Sequence, residues 1–166
     1  MDIQGDAPAT GVAALVAAFR RFATFSYTVS NATHTATTSP GPGDGWGRPT
    51  LGATATDPST CTAYNIVHYD TQGTMVTLSE GVSGCGILLV EGNLQISGAF
   101  TWYGLVLVTG SVAFTAGEIE AKQIRGAVLA AGTIPNSIGL NAHLIYCSSA
   151  VDTRNLPLRT LHWREL

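Results

Sequence analysis

The chain has 166 residues, of which 45% are hydrophobic and only 11% charged, with 19 glycines and a formal net charge of −3. That length suits one domain, residues 1–166, with a real core, and the charge leaves no basic footprint for nucleic acid. Sparse charge with abundant Gly, Thr, Ser and Ala fits a β-rich extracellular protein better than a cytosolic enzyme.

The first residues carry Asp2 and Asp6 rather than a basic region, so no cleavable signal peptide is read here. No run reaches the roughly 20 apolar residues that span a bilayer. Export therefore calls for a segment upstream of Met1. Asp6 can cap a helix with Pro8 in its first turn. Val12, Leu15, Val16, Phe19 and Phe22 then follow helical spacing, which predicts a helix over about 7–23. Two basic residues, Arg20 and Arg21, are few for a helix lying on a membrane. Phe25 to Thr35 alternates and reads as a first, degenerate coil. Residues 37–58 are crowded with Pro and Gly, which opposes regular structure, and Trp46 is expected to anchor this loop to the body.

Residues 61–150 are organised by a repeat. Ile87-Leu88-Leu89-Val90 is followed by Gly92-Asn93 and then Leu94-Gln95-Ile96-Ser97. Eighteen residues later Leu105-Val106-Leu107-Val108 is followed by Gly110-Ser111 and Val112-Ala113-Phe114-Thr115. Strand starts at Ile66, Ile87, Leu105, Ala127 and Leu144, with glycine turns at Gly73, Gly92, Gly110 and Gly132, give a period near twenty. Such a period means stacked supersecondary units. The first strand of each unit is apolar on both faces, as in a parallel sheet covered on both sides. The second alternates: Leu94 and Ile96 point one way, Gln95 and Ser97 the other. The predicted fold is mostly β, a single-domain parallel β-solenoid (β-helix) of about five coils. Its N-terminal helix packs on the doubly apolar sheet. Between two clear coils, Phe100, Trp102 and Tyr103 form the most aromatic spot, a candidate platform for a sugar or a protein partner. Glu118 to Arg125 reads as a loop insertion, and residues 156–166 as a closing segment for the far end.

The chemistry-bearing residues are few. Cys61 and Cys85 precede equivalent strands, so a disulfide between them is geometrically allowed. Cys147, at an inward strand position, reads as a small buried residue. No CxxC or HxxxH spacing points to a metal, and no fingerprint points to a cofactor. The four histidines are dispersed; His68 reads as a satisfied buried residue, and no Ser-His-Asp arrangement emerges. Asp70 and Glu91 hold the same place in neighbouring coils, about one strand spacing apart, near the separation of a retaining glycosidase pair. Later coils place Thr109, Ala131 and Ser148 there, and no basic residue accompanies the carboxylates, so a solvated turn edge outweighs catalysis. The Ser/Thr-rich wet sheet lacks the regular ladder of an ice-binding face, because Gln95, Ser97 and Ala113 interrupt it.

Taken together, the run from Gly84 to Gly117, the GAVLAAG segment at 126–132, the LIYCSSAV segment at 144–151 and the ending LHWREL resemble the C-terminal region of bacterial PilX-like minor pilins. The resemblance covers roughly residues 60–166. It implies a non-enzymatic structural role in type IV pilus assembly, at the cell surface or outside the cell, with other pilus or surface proteins as partners and no catalytic residues to transfer. This sequence shows no prepilin cleavage site and no long apolar helix. Two other expectations are a module binding a glycan or surface polymer through Trp102, Tyr103 and Phe100, and a polysaccharide-degrading enzyme using Asp70 and Glu91.

Overall fold

The computed structural model describes residues 9–36, 45–50, 60–115, 121–135 and 142–152. Helix α1, Ala9–Phe19, runs into a 3-10 turn at Arg20–Phe22. The strands are β1 (Phe25–Thr28), β2 (Ala32–His34), β3 (Pro49–Thr50), β4 (Thr60–Cys61), β5 (Asn65–Leu78), β6 (Val82–Ile96), β7 (Phe100–Val108), β8 (Val112–Phe114), β9 (Lys122–Ala130) and β10 (Ala142–Tyr146). Eight of them form one sheet in the order β1-β5-β6-β7-β9-β10, with β2 beside β5 and β8 beside β6. Every pairing in it is parallel, because each copy of a strand follows a full turn of the chain. The protein is thus mostly β, a parallel β-solenoid with one short helix.

The solenoid makes about three turns, not five. A turn needs both sides of the coil. Among the described residues the second side is present in β2, the end of β5, the end of β6 and β8. The first-side starts do align as the repeat predicts: Ile66 with Ile87, Ile87 with Leu105, and Leu105 with Ala127. The last copy does not. Leu144 pairs with Ile124, three residues off the expected partner. Gly73 also leaves the glycine ladder, because Asp70 pairs with Glu91 but Met75 pairs with Asn93. Thr71 to Thr74 therefore bulge, as an inserted stretch must where the partner strand offers fewer residues. Gly92, Gly110 and Gly132 remain stacked, the Gly110 N–H donating to the Gly92 carbonyl at 2.8 Å and the Gly132 N–H to the Gly110 carbonyl at 2.9 Å.

A second glycine column, Gly86, Gly104 and Gly126, turns the corner before each first-side strand. All three have positive φ, and a Cβ on Gly104 or Gly126 would strike the carbonyl oxygen of the glycine one coil earlier. Only glycine permits both the angle and the approach.

The interior is closed by Leu88, Val90, Val106, Val108 and Val128 against Leu94, Ile96, Val112 and Phe114, as the alternation predicts. The opposite faces of the same strands, Ile87, Leu89, Leu105, Leu107 and Leu129, join Ile66 in a separate cluster with Val12, Val16 and Phe19 of α1. The helix covers the doubly apolar sheet. Its α-helical part ends at Phe19 rather than near residue 23, and Leu15 and Phe22 are exposed at 39% and 43%. One row of a short helix, Val12, Val16 and Phe19, fills the contact. Leu15 lies a full 100° round from Val16, and the 3-10 turn carries Phe22 off the row, where Arg21 lies over its ring at 4.7 Å.

Two loop expectations change. Residues 49–50 form a short strand against Thr60–Cys61 within the Pro/Gly-rich stretch. Lys122 to Arg125 is not part of a loop insertion but the start of β9, with both end residues buried. Trp46 does anchor its loop: it is fully buried and its indole N–H donates to the Tyr27 hydroxyl at 3.2 Å. The tail at 156–166 lies outside the described residues.

Candidate functional site: a polar relay at the rim of the helix cover

Sheet register sorts the outer face into columns. One column runs Ser26, His68, Leu89, Leu107, Leu129. The next runs Thr28, Asp70, Glu91. Both become apolar or small where α1 lies over them and are polar where the first coil emerges beyond it. At that boundary four side chains meet. Ser26 Oγ lies 2.9 Å from His68 Nδ1, and His68 Nε2 lies 2.9 Å from Glu91 Oε1. Arg20, at the turn ending α1, donates from one Nη to Glu91 Oε1 at 3.0 Å and Oε2 at 3.3 Å. An ionised carboxylate only accepts, so the proton belongs on Nε2 and Nδ1 accepts from the serine hydroxyl. Burial is graded along the relay. His68 is 7% exposed, while Ser26 is open to solvent.

Sequence reasoning placed Asp70 and Glu91 side by side, and the register does so. The two carboxylates nevertheless serve different partners. Asp70 Oδ1 accepts the Gln72 N–H at 2.9 Å, which holds that non-glycine residue at positive φ in the bulge. Glu91 is engaged by His68 and Arg20. The sequence reading found no serine–histidine–acid arrangement, and Ser26 and Arg20 escaped it. Their separations from His68 and Glu91, 42 and 71 residues, carry no local pattern.

The aromatic platform is not at the surface. Phe100, Trp102 and Tyr103 are 1%, 0% and 2% exposed. Trp102 occupies the interior column of Gly84 and Ile124, where Gly84 makes room for its ring. It stacks on Phe100 at 6.4 Å, and its indole N–H donates to the Gly86 carbonyl at 3.3 Å. Tyr103 points to the other side, its hydroxyl 3.3 Å from Ser149 Oγ. The rings are core, and none offers a face to a sugar.

A second aromatic group closes the first coil. Tyr27 stacks on Tyr69 at 4.9 Å, and Trp46 meets Tyr69 edge-on at 6.0 Å. His34 Nδ1 lies 2.9 Å from the Tyr69 hydroxyl. Burial holds the His34 imidazole below its ordinary value. Burial, with Tyr27 beside it, drives the Tyr69 phenol far up.

Cys61 and Cys85 form a disulfide, with Cα atoms 6.4 Å apart. Cys147 is free and half-buried rather than sealed inside, because β10 ends one residue earlier and the chain turns into the 3-10 segment Ser148–Ala150. It packs on a small cluster with Cys85, Tyr103 and Ala150. Burial pushes its thiol up, but hydrogen bonds from Ser149, Ala150 and Tyr103 outweigh this and hold it below the ordinary value. Among the described residues no His/Cys/Asp/Glu group could hold a metal ion, and no helix is long and apolar enough to cross a membrane.

Compared with known proteins, the chain matches no family model, no curated protein and no solved structure.

Proposed function

We propose that this chain is a structural component of a bacterial cell-surface appendage, a minor-pilin-like module of pilus assembly that works outside the cytoplasm with other surface proteins. The observation that carries this reading is the Cys61–Cys85 disulfide clamping the entry to a rigid solenoid. Disulfides persist in oxidising compartments, and a stack of parallel coils is a spacer with repeated, mostly uncharged surfaces. The resemblance of residues 60–166 to PilX-like minor pilins supports the same role. Phe100, Trp102 and Tyr103 are buried, so the glycan-binding alternative draws no support from them.

The test is made in the native host. The protein should fractionate with the envelope or with sheared surface filaments, its two paired cysteines should resist alkylation before reduction, and a deletion strain should assemble fewer filaments. Recovery from the cytosol with Cys61 and Cys85 reduced would sink the proposal.

A further inference from the structure

We propose that Ser26 is an activated nucleophile that accepts an acyl group from a carboxylic ester, with His68 as general base and Glu91 and Arg20 as positioning residues. This goes beyond the structural role above and departs from the expectation that the chain carries no catalysis.

Three observations converge. The nucleophile–base contact is already made: Ser26 Oγ and His68 Nδ1 are 2.9 Å apart, within the reach that proton abstraction requires. The base is oriented by a third group, since Glu91 Oε1 lies 2.9 Å from His68 Nε2. That fixes the tautomer in which Nδ1 can take a proton, the arrangement that defines an activated serine on any fold. Arg20 in turn secures the carboxylate through both oxygens. Finally, His68 is buried while Ser26 is an exposed residue, and the hydrogen bond between them is part-buried, so the base is shielded and the serine lies at the surface. Moreover, β1 is the terminal strand of the sheet among the described residues. An edge strand presents backbone N–H donors, the groups that stabilise a developing oxyanion.

The reaction balances without a cofactor. Ser26 Oγ adds to the ester carbonyl carbon as its proton passes to His68 Nδ1, and the carbonyl electron pair moves onto oxygen. When that pair returns, the C–O bond to the alcohol breaks, and the leaving oxygen takes the proton from Nδ1. Water, losing a proton to the same nitrogen, then adds to the Ser26 ester. The acid departs and Ser26 regains its proton.

The experiment treats the full chain with a fluorophosphonate probe, and separately with p-nitrophenyl acetate, followed by peptide mapping. The expected result is one adduct on Ser26, absent in Ser26→Ala. The labelling rate should fall roughly a hundredfold in His68→Gln, the scale of lost general-base catalysis. Glu91→Gln should slow it less. Melting curves confirm that each variant is folded. No adduct on Ser26, or a His68→Gln variant labelled as fast as the unaltered protein, overturns the proposal. Surface localisation has no bearing on this outcome, so the two proposals fail separately.

Discussion

Two ends of one sheet face are built on opposite rules. Under α1, the outer face is Ile66, Ile87, Leu89 and Leu107, all buried against Val12 and Val16. Toward β1, beyond the helix, the column of Leu89 and Leu107 carries His68 and then Ser26, linked to Glu91 and Arg20. The backbone is the same parallel ladder in both places. What differs is the cover. Where a helix excludes water, apolar side chains contribute about 25 cal/mol per Å² of area removed from water. Where the helix ends, a polar group is tolerated if its hydrogen bonds are made. The relay exists because α1 stops at Phe19 and its following turn delivers Arg20 to Glu91.

The sharpest way to break the comparison is Leu107→Asp. Leu107 is fully buried in the helix-covered cluster, so a carboxylate there is uncompensated and should cost about 5 kcal/mol or more, enough to unfold the domain. A soluble, cooperatively melting variant would show that this face is not sealed. Next in size is the clamp outside both regions. The Cys61–Cys85 bridge spans 24 residues, and closing such a loop is worth about 3 kcal/mol. A paired Cys61→Ser, Cys85→Ser variant should lose that much in chemical denaturation. Thiol counting on denatured, unreduced protein should find Cys147 as the one free cysteine of the three.

The helix itself supplies a matched pair. Val16 is 1% exposed and Leu15 is 39% exposed. Val16→Ala should cost about 2 kcal/mol and Leu15→Ala under about 1 kcal/mol. Equal costs would mean that the helix sits on a different row. Acid should act on the other end. His34 is held below the ordinary imidazole value of 6.5 by burial, so the unfolded chain binds its proton first as pH falls. Its contribution is complete above about 6.5 and declines below it, because stability rises with pH wherever the unfolded state holds more protons. Trp46, buried beside this group, reports the change by fluorescence-detected melting between pH 7 and 5. An imidazole of His34 titrating by NMR at or above 6.5 would contradict the sign. Smallest of all, Gln95→Lys on the wet face should shift stability by no more than about 0.5 kcal/mol.

Much of this was legible in the residues. Alternation in Leu94-Gln95-Ile96-Ser97 and its absence in Ile87-Leu88-Leu89-Val90 assigned one wet sheet and one covered sheet. The spacing of Gly73, Gly92, Gly110 and Gly132 marked the turns, though Gly73 left the ladder, and the stripe Val12, Leu15, Val16, Phe19 and Phe22 identified the cover, though Leu15 and Phe22 are exposed. These features are local: side-chain direction follows from a period of 2 or 3.6 within a few residues of chain. The number of turns, the offset of Leu144 onto Ile124 and the interior position of Trp102 depended instead on how far each loop carries the chain before it rejoins the ladder. The relay depended on that most of all. Ser26 and His68 are 42 residues apart, with the Pro/Gly-rich loop between them. Whether Ser26 lands on His68, or one residue away on the opposite face, is decided by register alone. Composition and periodicity thus determined the solenoid and its two kinds of face, while only the closing of the first coil onto the second brought serine, histidine, glutamate and arginine within hydrogen-bonding reach.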